Sequence, residues 1–407
     1  MPYGEVLVFR NGFEIVFWLC AAIVAYIYVG YPLLLYCLTR KAAPPPVPGA
    51  RRLPRVTLLI SAYNEAAVIG HKIRNALDLD YPSDRLEVLV ISDCSTDGTD
   101  QIVENFQSIG VQLVRHPERL GKSAALNLGV ARSTGEILIF SDANAMYRSD
   151  AVRVLVKHFS NPGVGYVVGN AKYITADGQK PSAESEGLYW KLETWLKQKE
   201  SDFGSVVGGD GAIYAIRRHL FTPLLPTDIN DFLNPLQIIV QGYRGVYDPE
   251  AVCFEEAGDS FRKEFRRKVR IISRGLNAVY RSPAVLLPWV QPRHWFSLVS
   301  HKLLRWFVPA FLLTVLFINL GLWQSPMYRL IFFSQAVFYA FAIAGWLLDG
   351  KLAAPRLAYL PYYFCLVNTA SLLGIIKFFA RSLSPTWQTI REPQAAGTAP
   401  SDNRRPD

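Results

Sequence analysis

The chain has 407 residues, half of them hydrophobic, and a formal net charge of +9. The basic residues flank long uncharged runs, and no basic stripe is interleaved with aromatics, so the charge points to an inner-leaflet membrane surface and not to nucleic acid. The five cysteines (Cys20, Cys37, Cys94, Cys253, Cys365) form no Cys-x-x-Cys and the six histidines show no metal spacing, which excludes a disulfide framework and a zinc site.

Ile15 to Thr39 contains no charged residue and is long enough to span a bilayer. It has no basic segment directly before it and no small-residue cleavage site, which argues against a removable signal peptide. Arg40, Lys41, Arg51, Arg52 and Arg55 follow, so the positive-inside rule places the N-terminus outside and the next domain in the cytoplasm. Residues 1–41 thus read as a membrane helix, and 42–55 as a stiff, Pro-rich basic linker.

Residues 56–258 alternate strands and helices, the pattern of an α/β domain with a mostly parallel sheet and ligands at the strand ends. Val56–Ser61 is a buried strand, and Ala62-Tyr63-Asn64-Glu65 turns from it into a helix. Leu86–Ser92 is the second strand. Asp93-Cys94-Ser95-Thr96-Asp97-Gly98-Thr99 then leads into a helix, with Ser95 or Thr96 as the expected N-cap. Gly121-Lys122-Ser123 opens another helix. It imitates a P-loop, but the required upstream glycine falls at His116. The central strand Ile137–Phe140 ends in Ser141-Asp142-Ala143-Asn144. An Asp and an Asn two positions apart at a strand mouth can offer two oxygens to one hard cation, although both residues are also common at turns.

Farther on, Ala183 to Phe203 reads as a long helix carrying Tyr189, Trp190 and Trp195. These aromatics could stack on sugar rings, but their helical spacing favours packing. Val207-Gly208-Gly209-Asp210-Gly211 is a Gly-rich turn before a strand, and Asp231 sits near the start of a further helix. Residues 259–302 are basic. Phe261, Phe265, Val269 and Ile272 share one helical face surrounded by arginines and lysines, as in an interfacial amphipathic helix. About three apolar segments fill 303–380; 381–407 is a polar tail, and after Arg391 it is Pro-rich and reads as disordered.

These residues suit sugar transfer from a nucleotide. A metal at Asp142 and Asn144 would hold a diphosphate and neutralise it as it leaves. Arg267 and Arg270 add cationic donors. Asp231 is the candidate base for an acceptor hydroxyl, since inverting transfer needs one base and no covalent nucleophile. Asp93 ends its strand beside the same crevice, where it can accept from a pyrimidine N–H or a ribose hydroxyl.

In order and spacing, the motifs resemble the membrane-bound family 2 glycosyltransferases, the branch of cellulose, chitin and hyaluronan synthases. The resemblance implies a GT-A nucleotide-sugar-binding fold flanked by transmembrane helices. It implies nucleotide-sugar contacts from Ala62, Tyr63, Glu65, Asp93, Lys122, Asp142, Arg267 and Arg270, and a sugar-side loop with Gly209, Asp210 and Trp190. It further implies Mg2+ or Mn2+ on Asp142 and Asn144, and Asp231 as the base. The partners implied are a UDP-sugar, a glycan or lipid-linked acceptor, membrane lipid and subunits for polysaccharide export. The implied location is the bacterial inner membrane, with the catalytic domain cytoplasmic.

Three positions depart from the family pattern. Asn144 stands for the second metal-motif carboxylate, Asn230 for the Glu before the base, and Ile271 for the Trp linked to processive synthesis. Two other readings remain open at this level: a polyprenyl-phosphate glycosyltransferase, and a catalytically silent nucleotide-binding scaffold for a synthase. Thr386-Trp387-Gln388-Thr389-Ile390-Arg391 resembles a short C-terminal motif of related membrane transferases. Four full spans would leave it outside, in conflict with a gating role, unless one segment is re-entrant or interfacial.

Overall fold

The computed structural model describes residues 3–40, 52–174, 184–256, 261–348 and 356–384. In chain order, α1 (Tyr3–Ala25) continues through a π-helical turn, Tyr26–Gly30, into α2 (Tyr31–Thr39). The α/β domain then runs β1 (Val56–Ala62), α3 (Ala66–Leu77), β2 (Leu86–Ser92), α4 (Thr99–Glu104), β3 (Val111–Arg115), α5 (Lys122–Arg132) and β4 (Ile137–Asp142). Next come β5 (Met146–Tyr147), α6 (Ala151–Lys157), β6 (Val164–Ile174), α7 (Glu184–Phe203), β7 (Tyr214–Arg217), α8 (Asn230–Val240) and β8 (Arg244–Glu256). The helices α9 (Phe261–Arg281), α10 (Pro292–Ser297), α11 (Leu304–Trp306), α12 (Val308–Gly321), α13 (Pro326–Leu348) and α14 (Arg356–Phe379) complete it.

The strands form one sheet in the order β3-β2-β1-β4-β7-β6-β8-β5. β1 is central because every residue in it is apolar or small and every one is buried. Val56 lies opposite Leu86 on one side and Ile137 on the other, both in parallel register. Successive side chains serve opposite faces: Leu58 and Ile60 join the core beneath α3 and α6, while Leu59 joins the core beneath α5 and α8. The expected parallel arrangement holds for β3-β2-β1-β4 and for β6-β8. β7 runs antiparallel to both its neighbours, so the sheet is mixed beyond β4. That reversal brings the Gly-rich turn before β7 back over the mouth of β4.

At the second turn the observed cap differs from the expected one. α4 begins at Thr99 with Gly98 (φ 94°) as N-cap residue, and neither Ser95 nor Thr96 caps it. The Asp97 carboxylate accepts the Thr99 N–H instead, at 3.0 Å. Ser95 is taken up across the turn, its hydroxyl accepting the Asn64 N–H.

Among the described residues, three helices are long and apolar enough to cross a membrane: Asn11–Thr39, Pro326–Leu348 and Ala358–Phe379. The first C-terminal apolar segment is bent by 53° between Pro292–Trp306 and Val308–Gly321, and up to four crossings result if this bent pair is one span. The apolar face of α9 is covered by α14 along its length. Phe261 packs on Tyr359, Tyr362 and Tyr363, and a Cβ on Gly374 would lie 3.0 Å from Ile272 Cβ. Arg274 of α9 donates to the Ser384 carbonyl, so the chain leaves α14 beside the α/β domain. The tail motif Thr386–Arg391 lies outside the described residues.

Gly245 shows how closely β8 approaches β6, since a Cβ there would overlap the Tyr166 ring. The Tyr166 hydroxyl also donates to the Val206 carbonyl at 2.5 Å. Gly245→Ala is therefore expected to cost about 1–3 kcal/mol of stability, read as a lowered thermal unfolding midpoint in detergent.

Candidate active site

The site sits at the C-terminal ends of β1, β2 and β4, where the apolar strand runs give way to turns. Ala62 closes β1, and its carbonyl accepts the Asp93 N–H at 3.0 Å. Asn64 takes a positive φ of 53°, and its side-chain oxygen accepts the Thr96 N–H at 2.9 Å. The Glu65 N–H donates to Thr99 Oγ1 at 2.9 Å, and the Ala66 N–H to Asp97 Oδ2 at 3.0 Å. Much of both motifs thus knits the two turns together. Tyr63 lies beneath the Arg119 guanidinium, 3.8 Å from ring centroid to cation. Asp93 is fully buried, and its carboxylate accepts the Leu120 and Gly121 N–H groups at 3.0–3.2 Å. It thereby anchors the loop that opens α5 and presents Lys122.

Four of the sequence-predicted elements converge. Lys122 forms an ion pair with Asp142 at the end of β4. The spot a Cβ on Gly211 would occupy is 3.2 Å from Asp231 Oδ2 and 3.7 Å from both Asp142 Oδ2 and Lys122 Nζ. Only glycine leaves this point open. Gly208 (φ 81°) and Gly209 let the loop run flat on the start of α8: a Cβ on Gly209 would come within 2.7 Å of the Asp231 carbonyl. The Gly209 N–H donates to that same carbonyl at 2.5 Å. Asp231 Oδ1 is buried without a hydrogen-bond partner among the described residues. Burial pushes the Asp231 carboxyl above its usual value, as do Asp210 and Asp142, against the pull of Lys122 and Arg270. Asn230 donates to the Tyr214 hydroxyl at 2.8 Å, and that ring stacks on Phe140 of β4 at 4.6 Å. Asn230, one of the positions that depart from the family pattern, therefore ties the helix that carries Asp231 to the central strand.

Arg270 is exposed at the mouth and acts electrostatically on Asp231 and Asp142. Arg267 is turned into a neighbouring aromatic cage. It pairs with Glu264 at 2.7 Å, donates to the Tyr173 hydroxyl at 3.2 Å and lies 5.6 Å from the Trp190 ring centre. Trp190 packs on Tyr173 at 4.7 Å.

Several residues came to light only in three dimensions. Glu255, buried on β8, is pushed up to about 8 by burial and by the neighbouring Asp142 and Asp210 carboxylates. Its one sequence signal is a Glu directly after the apolar run Ala251–Phe254 of that strand. Lys197 of α7 pairs with Asp210 at 3.0 Å. The Tyr147 hydroxyl faces both the Phe140 and Ala212 carbonyls, at 3.2 and 3.0 Å, linking the strand of Asp142 to the loop of Asp210. Lys72, fully buried and pushed down to about 7 by burial, donates to the Ala145 carbonyl just beyond Asn144.

The donor set suits a hard divalent cation. Asp142 is a partly exposed carboxylate, Asn144 follows two residues on in the same turn, and an uncompensated Asp231 oxygen lies close by. Among the described residues no three His, Cys, Asp or Glu side chains form a closed cage. Mg2+-type sites of this kind are completed by substrate phosphates.

Residues 57–224 match the family model described as glycosyl transferase family 2. The beta-monoglucosyldiacylglycerol synthase of Synechocystis is 33% identical over 188 residues, 44% of this chain and 38% of that protein. The poly-beta-1,6-N-acetyl-D-glucosamine synthase of Staphylococcus aureus is 25% identical over 293 residues, 69% of this chain and 67% of that one. The chain spans about half the length of the first curated relatives it matches, 55% and 38%. The mannosyltransferase PcManGT of Pyrobaculum calidifontis, solved with GDP-Man and Mn2+, superposes with a TM-score of 0.67 at 24% identity, covering 89% of this chain and 99% of that chain. That likeness shows a shared fold of the GT-A type. The sequence match over residues 57–224, which holds the strand-end motifs, identifies that stretch as a glycosyl transferase family 2 domain.

Proposed function

We propose that this chain transfers a sugar from a nucleoside diphosphate sugar, UDP-linked in our reading, to a hydroxyl of a growing glycan or lipid-linked glycan, with inversion. The observation that carries the proposal is the open point over Gly211, on which Asp231, Asp142 and Lys122 converge. Asp231 has a buried, unpartnered oxygen to receive the acceptor proton. Lys122 and Arg270 supply positive charge where the departing diphosphate gains negative charge. A divalent cation held by Asp142 and Asn144 would stabilise the same leaving group. The turns after β1 and β2, with Tyr63, Glu65 and Asp93, would seat the nucleotide. Gly209, Asp210 and Trp190 would line the sugar side. A buried base opposite the metal motif favours a hydroxyl acceptor over a polyprenyl phosphate, which needs little help in losing a proton.

The apolar helices support a membrane setting, and we read the catalytic domain as cytoplasmic in a bacterial inner membrane. Ser384 lies beside Arg274, so the tail starts on the catalytic side. One of the three C-terminal apolar segments then does not complete a crossing. The donor reading is tested by titrating UDP, GDP and ADP against the purified chain with and without Mn2+. Mn2+-linked binding with a preference for UDP is expected. Binding of all three with no metal linkage would contradict it.

A further inference from the structure

One face of α7 joins the membrane-side helices to the loop over the active site. Glu193, Lys197, Glu200 and Ser201 recur at i, i+4, i+7 and i+8, so a single helical face carries them. Two of them hold the loop: Lys197 pairs with Asp210 at 3.0 Å, and Glu200 Oε2 accepts the Val207 N–H at 3.2 Å. Ser201 Oγ accepts the Tyr247 N–H of β8 at 3.0 Å.

The same face grips the helices on the other side. Glu200 Oε1 accepts the Tyr31 hydroxyl of α2 at 2.9 Å and lies 2.5 Å from His301 Nδ1. His301 Nε2 is 3.3 Å from Glu193 Oε1, and Glu193 also pairs with Arg305 and, at 3.4 Å, with Lys302. Glu200, His301 and Glu193 are 0%, 2% and 6% exposed. His301 sits in a π-helical turn, Leu298–Leu303, and the Ser300 hydroxyl there meets Tyr26 of the other π-helical turn at 2.8 Å. π-turns are rare and concentrate at functional positions.

We propose that Glu200 and His301 are positioning residues: with Tyr31 they form a buried strut that sets the 207–211 loop according to how α2 and the bent helix pair are seated. The catalytic consequence rests on the transferase reading above; the mechanical one does not. Bilayer seating reaches the chemistry through this strut, because the loop it holds touches Asp231 through Gly209.

The test uses the full chain in lipid nanodiscs, with Glu200→Gln, His301→Gln and the milder Tyr31→Phe. Hydrogen–deuterium exchange over 204–213 is expected to speed up by about tenfold in the first two and about threefold in the third, the scale of losing one charge-assisted or one neutral hydrogen bond. With turnover established, kcat is expected to fall by about tenfold with donor KM within about twofold, and the double variant to be no worse than the poorer single. Loop exchange unchanged in both His301→Gln and Tyr31→Phe would overturn the strut, even if the unfolding temperature fell. A wild type inactive on every donor would refute the transferase reading, while the exchange data would still decide the strut.

Discussion

Asp231→Asn is expected to lower kcat by about 10²–10⁴-fold, the usual range for removing a general base, while donor KM changes little. The amide keeps the shape of the carboxylate and the Gly209 contact, which runs through the Asp231 backbone. What it loses is the ability to take the acceptor proton. The pH profile supplies a second readout. A base must be ionised to act, and burial raises the Asp231 pKa in the free protein. The acid limb of kcat/KM should therefore lie above the ordinary Asp value of about 3.9, with activity rising as pH increases through it. In Asp231→Asn that limb should vanish. A variant retaining wild-type kcat would remove Asp231 from the mechanism.

Asp142→Ala is the second large effect, expected at about 10²–10³-fold in kcat, on the scale of losing one electrostatic contact to developing charge. It removes the carboxylate of the Asp142-Ala143-Asn144 turn and frees Lys122 from its ion pair. Mn2+ binding in the presence of nucleoside diphosphate, followed by electron paramagnetic resonance, should weaken in parallel. Asn144→Asp should act in the opposite direction, tightening Mn2+ binding by about tenfold through the added charge. Equal Mn2+ affinity in wild type, Asp142→Ala and Asn144→Asp would place any metal elsewhere.

The strand ends and the acidic residues that close them were legible in the sequence because that signal is local. An apolar run that stops at Asp93 or Asp142 announces both the strand and the mouth of the sheet. Lys122 and Asp231 were legible as motif members, and the fold brings them within reach of Asp142 around Gly211. Other features depend on partners far along the chain. Glu255, Lys197 and Glu200 look like ordinary charged residues until β8 and α7 are placed against the loop. Asp97, and not Ser95 or Thr96, serves the start of α4, because Ser95 is drawn across to the Asn64 turn. α9 shows the amphipathic pattern of an interfacial helix, but periodicity reveals an apolar face without revealing its cover, which here is α14. β7 reads as one more strand, and only its pairing with β4 and β6 shows the reversal.

The most direct test of the account is nucleoside diphosphate release by the full chain in nanodiscs. A panel of UDP- and GDP-sugars would be supplied with Mn2+ and a glycan or lipid-linked acceptor, with Asp231→Asn alongside. The account predicts release from one donor, dependent on Mn2+ and acceptor and lost in the variant. No release from any donor, together with no metal-linked nucleotide binding, would contradict it.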